Sequence, residues 1–244
     1  MVGQAKNKNL PVIVIGGWST RRASYELVMM DLGVDREIHF LNPGRSIGPG
    51  TLLQRKVAEV RRYVEENQIE KVDFVGHSLG AVVATTLAAE TPVMVREVVL
   101  VNPVGVIGND SYWRLVRRSL RSFASDLRRA VAIGEVKQFL RAVMASAVTI
   151  LRNPILTLIR EPALTASTDI TSVLRGLKRM GVKVCLLKSA SDWTFPNKRV
   201  EETLSAAPFD LLDRWVMYAE KSATHNAPLI EVGGALRQIL DCAS

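Results

Sequence analysis

Residues 72–83 read Val72-Asp73-Phe74-Val75-Gly76-His77-Ser78-Leu79-Gly80-Ala81-Val82-Val83. Val72 to Val75 has the β-branched and aromatic composition of a buried strand. The residues from Ser78 to about Glu90 are small and apolar and read as a helix. Only Gly76-His77-Ser78-Leu79-Gly80, a G-x-S-x-G pattern, joins the two. Chance alone supplies such a match in about one of a dozen chains of this length, so the flanking strand and helix carry the reading. A strand that turns directly into a helix strains the backbone of its central residue. It also brings the flanking positions so close to neighbouring backbone that only glycine fits. Such a turn exposes the Ser78 hydroxyl and sets the Leu79 N–H at the positive end of a helix, where an oxyanion is stabilised. A helix-capping serine in a glycine turn is the plain alternative.

Outward from this turn, β-rich runs alternate with helical patterns. Pro11 to Ile15 is a continuous apolar strand, and Ile38 to Leu41 a weaker one. Thr51-Leu52-Leu53-Gln54 is a capping-box sequence opening a helix to about Asn67, with Val57, Val60 and Val64 on one face. Glu97 to Asn102 is the next strand. From Gly105 to Met180 no strand is recognisable. The alternation resumes with Val182 to Leu187, a helix after Pro196, the strand Trp215 to Ala219 and a last helix near the C-terminus. Strands spaced by helices imply right-handed crossovers. The expected fold class is α/β: a mostly parallel central sheet with helices on both faces, formed by residues 1–104 and 181–244. Residues 105–180 form an inserted all-helical segment.

The chain has 244 residues, 48% hydrophobic and 23% charged, enough to bury a core without disulfide or metal staples. No apolar run reaches the roughly 18 residues of a membrane-spanning helix. The start, through Pro11 to Trp18, reads as a first strand and not as a secretory signal. Two distant cysteines, Cys185 and Cys242, argue against a disulfide scaffold, so a reducing cytoplasm is the expected compartment. No phosphate-binding glycine motif and no paired His or Cys at ligand spacing is present, so neither metal nor cofactor is expected. The net charge of +8 sits entirely in residues 105–180, which hold 13 Lys+Arg against 5 Asp+Glu; the other residues carry 19 of each sign.

The strand–elbow–helix arrangement is similar to that of the α/β-hydrolase superfamily, and the resemblance covers nearly the whole chain. It implies a nucleophile, acid and base in the order Ser, Asp/Glu, His. Ser78 is then the nucleophile. Of the three histidines, His77 lies inside the elbow and His39 precedes the nucleophile. His225, in a loop before the last helix, stands where the family places its base. Asp192, in Lys188-Ser189-Ala190-Ser191-Asp192-Trp193-Thr194-Phe195-Pro196, resembles the family's acid loop. At the alternative acid position the chain has Asn102-Pro103, which carries no charge. The family's second oxyanion donor follows a His-Gly pair after the first strand. Here the sequence is Gly16-Gly17-Trp18, so the donor becomes the Trp18 N–H beside that of Leu79. A simple tight turn explains the two glycines equally well. Gly17, His77 and Trp193 are candidate substrate contacts, and Asn42-Pro43-Gly44-Arg45-Ser46 resembles an architectural loop of the family.

In this family an insertion at this point is a helical lid, and a serine at the elbow disfavours haloalkane and epoxide hydrolysis. The implied activity is hydrolysis of an ester or thioester with a hydrophobic acyl or aromatic group. Carbon–carbon bond hydrolysis and acyl transfer use the same groups, and a hydrolase-like binding protein with weak catalysis is the rival from another class. Val116, Leu120, Phe123 and Leu127 form an apolar row. Phe139, Leu140, Val143, Met144, Ile150 and Leu151 continue it toward a greasy pocket, followed by Ile155, Leu156, Leu158 and Ile159. Arg114, Arg117, Arg118 and Arg121 form a basic stripe at helical spacing. Three readings stay open for it: a solvated outer face, a contact with an anionic lipid surface or acidic substrate, and nucleic-acid binding. The last is disfavoured because no recognition motif accompanies the charge.

Overall fold

The computed structural model describes residues 10–33, 36–44, 49–108, 110–132, 134, 136–206, 211–218, 225–226, 236 and 240. The strands are β1 (Val12–Ile15), β2 (Ile38–Leu41), β3 (Val72–His77), β4 (Val95–Val101), β5 (Lys183–Ser189) and β6 (Arg214–Tyr218). They form one six-stranded sheet in the order β2-β1-β3-β4-β5-β6, every neighbouring pair parallel. The chain reverses its direction of strand addition between β1 and β3. Ligands of open parallel sheets bind outside the carboxyl ends of the strands at such a point.

Both faces of the sheet are covered. Successive residues of a strand point to opposite sides. Ile13 and Ile15 therefore join one cluster with Phe74, Val98, Leu100 and Leu186, whereas Val12 and Val14 join another with Val75, Val99 and Leu187. Helices α2 (Leu52–Glu66), α3 (Leu79–Glu90), α7 (Thr171–Arg179) and α8 (Asn197–Ala206) cover the first face. Helix α1 (Glu26–Leu32), with Leu236 and Leu240, covers the second.

The capping box at Thr51 forms in full: the Thr51 side chain accepts from the Gln54 N–H, and the Gln54 side chain accepts from the Thr51 N–H. Val57, Val60 and Val64 of α2 are buried as their spacing requires, each contributing about 2 kcal/mol of burial.

Between β4 and β5 every regular element is helical among the described residues: α4 (Tyr112–Ala132), α5 (Val136–Arg152), a π-helical turn (Leu156–Arg160), α6 (Glu161–Ser167) and α7. Helix α7 lies within the stretch 105–180 but buries Leu174 and Leu177 in the sheet's own cluster. Its amphipathic face thus packs on the sheet's cluster, which Leu115 of α4 and Ala166 of α6 also join. The last helix expected from the sequence lies outside the described residues except at Leu236 and Leu240, which are helical and buried. Of the Asn42–Ser46 loop, Arg45 and Ser46 also lie outside them.

Candidate active site

The elbow has the geometry its glycines require. Ser78 adopts φ 53° and ψ −119°, a strained conformation for a residue with a side chain. A Cβ on Gly76 would stand 2.6 Å from the Ala81 Cα, and one on Gly80 would stand 2.1 Å from the Ile15 carbonyl oxygen. Neither backbone can yield, so the turn from β3 into α3 needs glycine at position 76 and the packing of α3 on β1 needs it at position 80. Leu79 opens α3, and the first N–H groups of a helix have no partner within it.

Asp192 and His225 come from loops 33 residues apart and meet. The His225 Nδ1–H donates to Asp192 Oδ2 at 3.0 Å, which leaves Nε2 as the ring's acceptor. Asp192 Oδ1 accepts from the backbone N–H groups of Thr194 at 2.9 Å and Phe195 at 3.1 Å. The Lys188 ammonium, itself fully buried, donates to the same Oδ2 that His225 uses. Burial alone would raise the pKa of Asp192, but the Lys188 ammonium and His225 outweigh it and hold the carboxyl well below the usual range. Burial conversely pushes Lys188 below its ordinary value, against the pull of Asp192. Asp192 is therefore a fixed anion.

Asn102 holds the His225 backbone. It has φ 43°, its Nδ2 donates to the His225 carbonyl at 2.6 Å and to Ser189 Oγ at 2.9 Å, and its Oδ1 accepts from the Ser189 N–H at 2.8 Å. Asn102, at the end of β4, thus ties the loop after β5 to the loop that carries His225.

The loop after β1 is braced from several directions. A Cβ on Gly17 would lie 3.0 Å from the Ser78 Cβ, so this backbone runs directly beside the elbow. The Gly17 N–H donates to the Tyr25 hydroxyl at 2.8 Å, and Thr20 Oγ1 donates to the Gly17 carbonyl at 2.9 Å. The Trp18 indole N–H reaches the Thr157 carbonyl in the π-helical turn.

The Tyr25 hydroxyl also meets His77 Nδ1 at 2.9 Å, and His77 Nε2 faces the His225 carbonyl at 3.4 Å. Burial, with His225 acting in the same direction, pushes the His77 pKa down to about 3, so the ring is neutral. Burial likewise raises Tyr25 to about 12. His77 is 1% exposed and engaged at both nitrogens. Its geometry is that of a strut between two loops, and the ring also lines the chamber beside Ser78. Gly17 leaves room there for the Ser78 Cβ and the His77 ring.

A chamber of about 170 Å³ is lined by Ser78, His225, Trp18, Leu115, Phe195 and Thr165, among others. Beside it opens a cleft of about 520 Å³ between α4 and α5, lined by Val116, Leu120, Phe123, Phe139, Val143 and Ile150 among others. Trp18, Thr20, Ser119, Phe123, Asp126 and Asn226 line both, so the two communicate. Asn226 Nδ2 donates to Asp126 Oδ2 at 2.8 Å and ties the His225 loop to α4. The expected apolar row of α5 divides: Phe139, Val143 and Ile150 face the cleft, whereas Leu140, Met144 and Leu151 are 51%, 65% and 80% exposed.

The basic stripe does not stand free as a unit. Arg118 pairs with Asp110, Arg114 Nε lies 3.8 Å from the same carboxylate, and the Arg121 guanidinium lies 3.8 Å over the Trp193 ring. Trp193 lines neither cavity at Ser78 and serves there as the platform for Arg121. Among the described residues no group of three or more His, Cys, Asp or Glu could hold a metal ion. No single helix among them is long and apolar enough to cross a membrane.

Lys188, Tyr25 and the bracing role of Asn102 were not recognised in the sequence. A lysine following the apolar run Val184 to Leu187, four residues before Asp192, is a signal for Lys188. Nothing local marks Tyr25, because its contacts lie 8 and 52 residues away.

Comparison with known proteins fits this geometry. The chain is 31% identical over 104 residues to a serine hydrolase-like protein of Danio rerio, an overlap covering 40% of this chain and 32% of that one. The chain spans 15% and 32% of the length of the curated relatives it matches. A hydrolase from Pseudomonas aeruginosa PA01 has a similar fold, with a TM-score of 0.69, 17% identity, and coverage of 97% of this chain and 90% of that one. An esterase from Rhodococcus sp. ECU1013 gives a TM-score of 0.68 at 15% identity, covering 97% and 92%. The model of the alpha/beta hydrolase family matches residues 12–235, and with that span, the parallel sheet and the glycine-flanked Ser78 elbow, the chain belongs to the alpha/beta hydrolase family.

Proposed function

We propose that this protein is a serine hydrolase that cleaves an ester or thioester carrying a hydrophobic acyl or aromatic group. The observation that carries the reading is the 3.0 Å bond from His225 Nδ1 to Asp192 Oδ2, made beside the chamber that Ser78 lines. An imidazole whose Nδ1–H is held by a carboxylate has its Nε2 left to act on the serine hydroxyl.

His225 Nε2 takes the Ser78 hydroxyl proton as Oγ bonds to the acyl carbon. The tetrahedral oxyanion is held by the N–H groups of Leu79 and Trp18. Collapse breaks the bond to the alcohol or thiol, which leaves with the proton from His225. Water, deprotonated by the same nitrogen, then releases the acid and restores Ser78.

Helices α4 to α6 act as the lid, and the cleft between α4 and α5 takes the apolar acyl portion. Its volume lies within the range of roughly 300–1,000 Å³ typical of small-ligand sites. Carbon–carbon bond hydrolysis and acyl transfer would use the same groups, but the apolar cleft favours an acyl ester or thioester.

The test is turnover of p-nitrophenyl esters of rising acyl length by the wild type and Ser78→Ala, with a fluorophosphonate probe alongside. Turnover that rises with chain length, vanishes in Ser78→Ala and coincides with covalent labelling at Ser78 supports the reading. Unchanged turnover in Ser78→Ala overturns the mechanism. Absence of labelling in a folded protein identifies a binding protein instead.

A further inference from the structure

The two longest inserted helices leave apolar stripes uncovered. On α4, Trp113, Leu120, Leu127 and Val131 are 75%, 67%, 38% and 61% exposed. Their spacing of seven, seven and four residues places them on one side of the helix. On α5, Leu140, Met144, Val148 and Leu151 are 51%, 65%, 37% and 80% exposed, and Ile155 beyond it is 63% exposed. Their spacing of four, four, three and four is again that of one face. The helices touch through Phe123 and Phe139, whose rings lie 5.4 Å apart. Leu120, Phe123 and Leu158 line the cleft and are also 67%, 45% and 46% exposed, so the cleft opens among uncovered apolar side chains. Scattered apolar residues on a surface are ordinary; two continuous stripes flanking one opening are not.

The charge around the stripes identifies what fits them. From Ser111 to Arg160 the chain carries ten Lys+Arg and only two acids, Asp126 and Glu135. Asp126 is 3% exposed and bonded to Asn226. Arg114 and Arg118 are engaged by Asp110, Arg121 by Trp193 and Arg141 by Glu26. Arg117, Arg128, Lys137, Arg152 and Arg160 remain exposed around the apolar stripes. A second copy of this chain would bring the same cations against these, so like charge opposes self-association through this face. An anionic bilayer offers both complements: acyl chains for the stripes, and headgroup charge for long cationic side chains that can reach outward past them.

We propose that the inserted helices dock on an anionic phospholipid surface through the exposed stripes of α4 and α5, with the mouth of the cleft turned toward the bilayer. The contact lies along the surface, because the exposed stripes are single faces of α4 and α5 whose other sides line the cleft and the core. The arginines that take part differ from the stripe read in the sequence: Arg117 and Arg128 face the lipid, while Arg118 and Arg121 hold the insertion to the core. An acyl chain in the leaflet then meets the cleft without crossing water.

Flotation of the full chain with vesicles of phosphatidylglycerol and phosphatidylcholine, against vesicles of phosphatidylcholine alone, tests this without requiring turnover. The protein is expected to float with the anionic vesicles only. Met144→Glu/Leu151→Glu should abolish flotation, and Arg117→Gln/Arg128→Gln should weaken it by roughly tenfold or more, with a similar weakening in high salt. None of these four residues lines the cavities at Ser78, and unchanged circular dichroism and thermal melting show that the variants fold. Equal flotation with neutral vesicles, flotation indifferent to Met144→Glu/Leu151→Glu, or no flotation of the folded wild type overturns the proposal. A dimer in light scattering that Met144→Glu/Leu151→Glu dissociates, with no vesicle binding, overturns it in favour of a second copy.

Discussion

The elbow at Ser78 and the loops that bring partners to it are held by different forces. Between Gly76 and Ala81 the constraint is steric: a side chain at Gly76 would meet Ala81 and one at Gly80 would meet the Ile15 carbonyl of β1, so two missing side chains let a strained serine sit between β3 and α3. The loops after β1, β4 and β5 are held by polar bonds between residues distant in sequence. Tyr25 braces Gly17, Trp18 reaches Thr157, Asn102 carries His225, and Lys188 anchors Asp192. The first device is all-or-none because a backbone clash has no compromise. The second is graded, since each bond contributes a separable part.

That difference orders the expected effects of mutation. Gly80→Val is the most severe: its side chain would enter the space of the Ile15 and Gly16 carbonyls, and no soluble folded protein is expected on expression. A folded, active Gly80→Val would show that the elbow is not sterically fixed.

Lys188→Met comes next. It leaves a fully buried carboxylate with His225 and two backbone donors but without its ammonium. Breaking such a pair costs about 3–5 kcal/mol, read as a fall in melting temperature of roughly 10 °C. The pH dependence has a definite sign. Asp192 has a depressed folded-state pKa, so its stabilisation is present above the ordinary carboxylate range and is lost as pH falls through and below that range. Without Lys188 the depression shrinks, and acid unfolding of the variant should begin at higher pH than in the wild type.

Tyr25→Phe keeps the ring but removes the acceptor for the buried Gly17 N–H and the contact to His77. A loss of about 1–3 kcal/mol in denaturant unfolding is expected, with a larger proportional fall in kcat than in KM because the loop beside Ser78 loosens. Trp18→Phe is the mildest. It removes one indole bond to Thr157 and should cost about 1 kcal/mol while leaving the Trp18 backbone N–H in place. An effect larger than that of Tyr25→Phe would show that the inserted helices, and not the core, position this loop.

The same division explains what could be read in the sequence. The elbow, the Thr51 capping box and the buried valines of α2 were legible because each is a short-range pattern of spacing and residue size. Asp192 and His225 were legible through the resemblance, which supplies their order along the chain. The bracing bonds of His77 and the place of Trp193 under Arg121 were not, since bracing a loop or underlying an arginine depends on what other segments bring to the residue. The arginines of α4 look equivalent at helical spacing, yet Asp110, from the preceding loop, and Trp193, from the loop after β5, engage three of them and leave Arg117 exposed.

The sequence by itself determined the alternation of strands and helices, the parallel sheet, the serine turn and the concentration of positive charge in one segment. These follow from periodicity, side-chain volume and composition, which are properties of neighbouring residues. The tertiary structure alone decided that Lys188 neutralises Asp192, that Asn102 and Tyr25 brace the loops of the site, that α7 joins the core, and that α4 and α5 leave apolar faces open beside the cleft. Those outcomes depend on which distant groups share a buried space. There an unpaired charge or an unbonded N–H is costly enough to fix the geometry, and no local pattern records its partner.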